Sequence, residues 1–152
     1  METKAKVLNV CISEKKGTRK HPVDVLHVIP DHGAEGDAHA GNWHRQISLL
    51  ANESVDKMRA SAPQIALHAG DFAENILTEG IDLKAQPVGS VLRIGGVKLE
   101  VTQIGKECHA DCEIRRITGN CVMPTEGIFA KVLNEGEIRA GDRIITEAEP
   151  AV

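Results

Sequence analysis

Three cysteines and a histidine lie within 14 residues of one another, at Cys108, His109, Cys112 and Cys121. Thiolates are nucleophiles and soft metal ligands, and imidazole is a common ligand for transition metals. Cys108 and Cys112 are four residues apart, so they share one face if the segment is helical. The segment lacks the two C-x2–4-C pairs that are usual in structural zinc sites. The cluster therefore indicates a functional thiol or a metal site, with a structural zinc site or buried, unreactive cysteines as the alternatives.

A second candidate is the segment 35–41, which reads Glu-Gly-Asp-Ala-His-Ala-Gly and is soon followed by His44 and Arg45. Glycines allow a backbone to approach a ligand closely. Asp37, His39 and Arg45 offer a carboxylate, an imidazole and a guanidinium fork that suits anions. The same composition is typical of a surface turn, which is the alternative interpretation.

A third candidate is the basic loop 13–20, whose cations are Lys15, Lys16, Arg19 and Lys20. Together with the hydroxyl of Ser13 and the backbone N–H groups, these cations could hold a phosphate. Because charge runs usually face water, Lys16 and Arg19 are expected to be ordinary solvated charges. Lys20 and Arg45 are the first candidates for an anion contact, and neither is expected to lie in the core.

The segment 70–75, Gly-Asp-Phe-Ala-Glu-Asn, is the fourth candidate. Its polar side chains, Asn75 among them, could line a cleft, whereas Asp71 and Glu74 could equally be exposed at a strand end. The sequence has no Gly-x-Ser-x-Gly elbow, no Walker loop and no dinucleotide-binding glycine pattern. A standard serine hydrolase, nucleoside triphosphatase or dinucleotide-dependent oxidoreductase is therefore not supported.

Charge and composition exclude further classes of protein. The 152 residues include 18 Lys and Arg against 22 Asp and Glu, which gives a net charge of −4 and argues against a broad nucleic-acid footprint. Aromatic residues make up only 2%, so a single-strand binder that stacks bases on aromatic side chains is not expected. No apolar run reaches the ~20 residues of a membrane helix, and no signal peptide is visible. A cytoplasmic protein that does not bind membranes is expected, with thiols rather than a disulfide framework.

Short strands must position these four segments. The pattern of apolar residues predicts strands over 5–12, 23–29, 46–51, 72–78, 91–94, 97–104, 127–133 and 142–146. Gly95-Gly96 joins two of these strands in a tight hairpin. One short helix is predicted over 52–60, with Asn52 as its N-cap. Many short strands with few helices favour a barrel or a sandwich, hence a mainly β fold of the α+β type.

Taken together and in order, these segments resemble the MOSC family, named after the C-terminal domain of molybdenum cofactor sulfurase, in its small stand-alone bacterial form. The matching segments, which cover nearly the whole chain, are 13–18 with Lys20 and Pro22, 35–41, 45–50, 70–75, 88–89, 99–102, Cys108, 127–132 and 141–142. The resemblance implies a MOSC-type β-barrel with residues 1–152 as a single domain.

The resemblance also implies the function. Cys108 matches the family's single cysteine, which carries sulfur or ligates molybdenum in the pterin cofactor, molybdopterin. Lys20, Arg45, Asp37, His39, Ser13 and Asn75 are the residues that would bind the cofactor. Cys112, Cys121 and His109 depart from the one-cysteine pattern; they would resolve a persulfide, share a metal or only pack.

A sulfur carrier of this kind needs partners. The chain has no room for the pyridoxal phosphate domain of the full-length sulfurase, so pyridoxal phosphate is not expected. A sulfur donor and a recipient molybdoenzyme would be separate proteins, and whether the chain is itself a sulfurtransferase-like enzyme stays open. Two alternatives also stay open: a component of a molybdenum-dependent oxidoreductase, and a non-catalytic Cys/His metal-binding module.

Overall fold

A computed structural model describes residues 5–15, 19–61, 63, 66–105 and 127–147. Within these ranges the chain forms eleven strands, one α-helix and a single turn of 3-10 helix at Leu83–Ala85. The first strands are β1 (Lys6–Ile12), β2 (His21–Val23), β3 (Leu26–Ile29), β4 (Gly33–Ala34) and β5 (Ile47–Ala51). After helix α1 (Asn52–Ser61) come β6 (Ile76–Glu79), β7 (Val91–Ile94), β8 (Val97–Ile104), β9 (Ile128–Val132), β10 (Gly136–Ile138) and β11 (Ile144–Glu147). The predicted mainly β fold is confirmed.

The predicted hairpin is β7 and β8, whose register pairs Ile94 with Val97 across the two glycines. Gly95 has φ +59°, a left-handed conformation that costs glycine little because it has no Cβ. Along β8, Val97, Leu99 and Val101 are buried while Lys98 is exposed. The alternation therefore directs one face of the hairpin into the core, as the sequence predicts.

Eight strands form one sheet in the order β11-β7-β8-β9-β5-β6-β1-β2. The sheet curls until its two ends meet, because the residues just before β11 hydrogen bond to the start of β1. Val7 N donates to Asp142 O at 2.8 Å, and Gly141 N donates to Val7 O at 2.7 Å. A bridge between Lys6 and Arg143 lies at the same place. Curling in this way pairs strand edges that would otherwise be exposed.

The interior of the curled sheet is aliphatic. Side chains from most of the strands, including Ile47, Leu49, Leu92, Leu99 and Ile128, form its main core. A smaller sheet, β10-β3-β4, adds Val28 and Ile138 to that core. Helix α1 packs on the other face of β5 and β6, where Phe72 and Phe129 join a second cluster. No helix in the described ranges is long and apolar enough to span a membrane.

Two of the predicted strands differ from those in the structure. The strand predicted over 23–29 is divided, since β2 ends at Val23 and β3 begins at Leu26. The strand predicted over 72–78 begins only at Ile76. Ala73 has φ +63°, and the carboxylate of Glu74 accepts hydrogen bonds from the N–H groups of Gly70 and Phe72. A side chain that binds the backbone in this way replaces the hydrogen bonds of a strand with those of a turn.

Candidate functional site

Three of the predicted segments meet beside β1. Lys20 N donates to Gly70 O at 2.8 Å, which joins the basic loop to segment 70–75. Ala38 N donates to Ser13 O at 2.7 Å, which joins the same loop to segment 35–41. Residues from three segments that are distant in the chain thus share one location.

The centre of this location is the ammonium group of Lys20. Its Nζ lies 2.7 Å from Asp37 Oδ1, 3.2 Å from Ser13 Oγ and 3.1 Å from His39 Nδ1. The side chains of Lys20 and Asp37 are both 0% exposed. Ser13, Lys20, Asp37 and His39 are named the inner cluster below. The expectation that Lys20 lies outside the core is wrong, because an ion pair with Asp37 offsets the cost of burying its charge.

The carboxylate of Asp37 remains charged in this buried position. Burial raises its pKa, but the charge of Lys20 and hydrogen bonds from Lys20, the backbone N–H of Ser13 and Asn75 outweigh that effect and lower it. Oδ1 accepts the N–H of Ser13 at 3.0 Å, and Oδ2 accepts the N–H of His39 at 3.2 Å. Asp37 therefore fixes the backbone of two of the three segments at once.

Asn75 lies behind the inner cluster and connects strands. Its Nδ2 donates to Cys11 O at 3.0 Å, and its Oδ1 accepts the N–H of Ser48 at 3.0 Å. The side chain is buried, and both ends of its amide bond to the protein. Asn75 thereby holds β1 and β5 in place around the inner cluster, and its contact with the cofactor stays a prediction.

Segment 70–75 is built around a carboxyl group without a counter-ion among the described residues. Glu74 is 0% exposed, and its oxygens accept N–H groups from Gly70 at 2.7 Å and Phe72 at 3.2 Å. Burial raises the pKa of Glu74 to about 7, although these N–H groups lower it. A Cβ on Gly70 would lie 2.1 Å from Lys20 O, so only glycine permits this close contact. The alternative of Glu74 as an exposed strand-end residue is wrong.

A second polar group lies at the surface, where β8 ends. Arg45 Nε donates to Gln103 Oε1 at 3.0 Å, and His44 Nε2 lies 2.8 Å from the same oxygen. The guanidinium carbon of Arg45 is 5.3 Å from the centre of the Phe129 ring and 6.0 Å from that of Trp43. Trp43, His44, Arg45 and Gln103 are named the rim cluster below.

The two clusters are connected by Trp43, whose indole Nε1 donates to His39 O at 2.7 Å. Trp43 is 37% exposed. Within the described ranges, the two terminal nitrogens of Arg45 make no hydrogen bond to the protein, which leaves their donors for another molecule. An arginine fork held by its Nε and by aromatic faces is oriented without using the nitrogens that bind anions best.

Sequence reasoning missed Gln103 and Phe129. The pairing of β8 with β9 shifts register between Val101 and Gln103, as at a β-bulge. Such an irregularity redirects the side chains that follow it. Alternation of apolar and polar residues along β8 gives no sign of this shift, so the sequence did not indicate Gln103 as a partner of Arg45.

Cys108, Cys112, Cys121, His109 and Lys16 lie outside the described residues, so their predicted roles are not tested by the structure. Gly105 and Gly127, which flank 106–126, are joined by a hydrogen bond of 2.7 Å from Gly105 N to Gly127 O. Cys11 is buried, and burial together with the charge of Glu74 raises its pKa to about 12. Among the described residues no three His, Cys, Asp or Glu side chains are grouped to hold a metal.

A cavity of about 380 Å³ lies elsewhere, between the start of α1 and the residues before and within the 3-10 turn. Glu53, Ser54, Lys57 and Asp82 are among its lining residues. It shares no residue with either cluster, and Glu53 already accepts the N–H of Gly80 at 2.8 Å. The predicted site residues therefore do not line this cavity.

Comparison with known proteins supports the family resemblance. The family model described as "MOSC domain" matches residues 36–145. No curated protein matches the sequence. The YUAD protein from Bacillus subtilis superposes with a TM-score of 0.75 at 19% identity, covering 92% of this chain and 93% of that one. YiiM from Geobacillus stearothermophilus gives 0.74 at 18% identity, with 95% and 75% coverage. YiiM from Escherichia coli gives 0.68 at 20% identity, with 97% and 70% coverage. At these identities the likeness is one of fold.

Proposed function

The chain belongs to the MOSC domain family, and from that premise we propose that it binds the pterin form of the molybdenum cofactor. In this proposal residues 1–152 form a single domain, and Cys108 holds sulfur or ligates molybdenum. The sulfur donor and the molybdoenzyme that receives the product are separate proteins.

The observation that carries the proposal is the unpartnered fork of Arg45. Within the described part of the chain, its terminal nitrogens have no acceptor, while Gln103, Phe129 and Trp43 hold the rest of the side chain. A phosphate-bearing pterin needs positive charge at one end of its site. Because the protein is net acidic, that charge must be local, and the fork of Arg45 has the shape that phosphate oxygens match.

Lys20 supports the site in a different way from the one expected. Its three N–H donors already face Asp37, Ser13 and His39. An ammonium has three donors, so Lys20 has none left for a phosphate. Arg45 is therefore the anion-binding residue of the proposal, and Lys20 organises the loop that carries His39.

The role proposed for Cys108 is based on its position in the sequence. It follows Gly105 by three residues, and Gly105 O accepts a hydrogen bond of 2.6 Å from Gln103 Nε2. Lys106 and His109, which lie beside Cys108 in the sequence, favour the thiolate form of its thiol.

When bound, the cofactor supplies a molybdenum centre to which a thiolate can be added as a ligand. The chain's own contributions are the guanidinium of Arg45 for the anionic end, the indole of Trp43 beside it, and the Cys108 thiol. His39 and His44 add imidazole nitrogens. The buried carboxylate of Asp37 holds the backbone N–H groups of Ser13 and His39 in place.

Metal and pterin analysis of protein purified under reducing, oxygen-free conditions tests the proposal. We expect molybdenum and pterin fluorescence together in the wild-type protein and in Cys112→Ser and Cys121→Ser, with both lost in Cys108→Ser. Zinc at one ion per chain, with no molybdenum or pterin, would instead favour the Cys/His metal-binding module. Equal loss in all three variants would contradict a role for Cys108 alone.

A further inference from the structure

The inner cluster determines where the proton of His39 sits. His39 Nδ1 lies 3.1 Å from Nζ of Lys20, and Lys20 is 2.7 Å from Asp37 Oδ1. An ion pair at that distance, fully buried, requires the lysine to be an ammonium. An ammonium donates hydrogen bonds and accepts none, so Nδ1 must be the acceptor.

The remaining contacts of Lys20 agree with this assignment. Ser13 Oγ donates its proton to Lys15 O at 3.0 Å, which leaves a lone pair for Lys20. Asp37 Oδ1 is a carboxylate oxygen and can only accept. Each of these three contacts is therefore satisfied when Nζ of Lys20 donates and the facing atom accepts.

From this geometry we infer that the Lys20–Asp37 pair locks His39 as the neutral tautomer with its proton on Nε2. Lys20 and Asp37 are positioning residues, and His39 is a hydrogen-bond donor at Nε2. Any group that meets Nε2 must be an acceptor, such as an anionic or carbonyl oxygen. His39 cannot serve as a general base through Nδ1, because the ammonium occupies that nitrogen's lone pair.

The position of His39 gives this tautomer a functional consequence. Its ring is half-buried, while its carbonyl accepts the indole N–H of Trp43 in the rim cluster. The backbone of His39 thus connects the inner cluster to the rim cluster. A ligand that contacted both Nε2 of His39 and the terminal nitrogens of Arg45 would meet only donors, which selects an oxygen-rich anion over a cation. The identity of that ligand as a phosphopterin rests on the proposed function, whereas the tautomer does not.

Two-bond ¹H–¹⁵N correlation spectra of the cofactor-free protein test the tautomer directly. At about pH 8 every histidine of ordinary pKa is neutral. We expect Nδ1 of His39 to resonate as an unprotonated nitrogen and Nε2 as a protonated one, while exposed His68 shows the averaged shifts of two exchanging tautomers. A protonated Nδ1 in the wild-type protein would overturn the inference.

Variants test whether the Lys20–Asp37 pair sets the tautomer of His39 or whether the imidazole ring prefers that tautomer without the pair. Lys20→Met combined with Asp37→Asn removes both charges together, so no buried ion is left unpaired. In this double variant the shifts of His39 should move towards those of His68. Lys6→Met, which removes an exposed lysine paired with Glu79, should leave them unchanged. An unchanged, fully Nε2-protonated His39 in the double variant would show that the pair does not set the tautomer.

Two variants of His39 test whether Nε2 donates a hydrogen bond to the bound cofactor. The amide of Gln reaches the position of Nε2, whereas the shorter amide of Asn reaches only that of Nδ1. His39→Asn should therefore lower retention of molybdenum and pterin roughly 10- to 100-fold, the range of a hydrogen bond to a charged group, and more than His39→Gln does. Equal retention in both variants would contradict donation from Nε2. If the wild-type protein holds no cofactor, the proposed function fails while the nitrogen spectra still decide the tautomer.

Discussion

The inner cluster and the rim cluster contain similar residue types but use them in opposite ways. In the inner cluster, the side chains of Lys20 and Asp37 are 0% exposed and form an ion pair with each other. In the rim cluster, Arg45 is held by Gln103 and two aromatic rings, and its terminal nitrogens bond to no described residue. Lys20 and Arg45, one from each cluster, were predicted together as the first candidates for an anion contact.

Burial explains the difference. A charge removed from water must be paired within the protein, so a buried cation has no capacity left for a ligand. A cation at the surface is hydrated, so an incomplete set of protein partners costs it little free energy. Some of its N–H donors can therefore stay available to a ligand. Residue type alone therefore does not distinguish a residue that shapes a site from one that binds in it; the exposed fraction does.

Replacing one residue of the buried Lys20–Asp37 ion pair should have the largest effect on stability. Lys20→Met leaves the Asp37 carboxylate buried without its counter-ion, and we expect the free energy of unfolding to fall by roughly 3–5 kcal/mol. The double variant Lys20→Met/Asp37→Asn should recover part of this loss. Urea denaturation measures both, and Arg45→Met is the matched control from the rim, with a change within about 1 kcal/mol. Equal losses for Lys20→Met and Arg45→Met would remove the contrast between the clusters.

The buried carboxyl group beside the inner cluster predicts a pH dependence. Burial raises the pKa of Glu74 from 4.5 to about 7, so between these values the folded state binds more protons than the unfolded state. Stability from this group is therefore complete below pH 4.5, falls as the pH rises towards 7 and is level above it. The total change is roughly 3 kcal/mol at most, at 1.36 kcal/mol for each unit of pKa.

Urea denaturation at pH 5 and pH 8 tests whether the free energy of unfolding falls as the pH rises. Wild-type protein should lose stability between the two values, and Glu74→Gln should lose much less. The variant has its own cost, because an amide offers one acceptor where Gly70 N–H and Phe72 N–H now use two oxygens. Stability of the wild type that rises from pH 5 to pH 8 would contradict a protonated Glu74 in the fold.

At the rim, the expected effect is on binding rather than stability. Arg45→Ala should weaken binding of the pterin cofactor by roughly 1–3 kcal/mol, the range for a charge-assisted hydrogen bond. Arg45→Lys should restore less than half of it, because a lysine lacks the fork. Isothermal titration measures the affinity, which should also fall with added salt. Arg139→Ala removes an exposed arginine that pairs with Glu137 and serves as the control; an equal loss there would argue against a specific contact.

The elements that depend on local sequence were predicted well. Gly95-Gly96 between alternating strands predicts the β7–β8 hairpin because both signals are contained in a few residues. Helix α1 was predicted over 52–60 and spans Asn52–Ser61. In contrast, the closure of the sheet depends on hydrogen bonds between Val7 and residues 141–142, which no local pattern indicates.

The candidate site was predicted by composition but not by geometry. The three segments that meet at Lys20 were each singled out by their glycines and polar residues. The burial of Lys20 depends on Asp37, which lies 17 residues away, and the position of Gln103 depends on a register shift against β9. A single sequence shows the types of these groups, whereas their partners follow from the tertiary fold.

The smallest expected effect concerns His27, a histidine outside both clusters. His27 faces carboxylates instead of an ammonium: Nε2 lies 2.9 Å from Glu135 and Nδ1 lies 3.0 Å from Glu35. A hydrogen bond to Glu135 raises the pKa of His27 most; desolvation opposes it, and the charges of Glu35 and Glu135 raise the pKa further. Both ring nitrogens of His27 therefore favour a proton, whereas Nδ1 of His39 excludes one.

A histidine pH titration by NMR measures this contrast in one sample. His27 should titrate above the ordinary value of ~6.5, and Glu135→Gln should lower its midpoint while Glu137→Gln leaves it unchanged. Because the pKa is raised in the folded state, the stability from His27 is present below the ordinary value of ~6.5 and is lost as the pH rises through the folded value. The effect on unfolding should be slight, since all three side chains are exposed and water screens their charges. A midpoint for His27 at or below ~6.5 would show that its carboxylate partners do not hold it in solution.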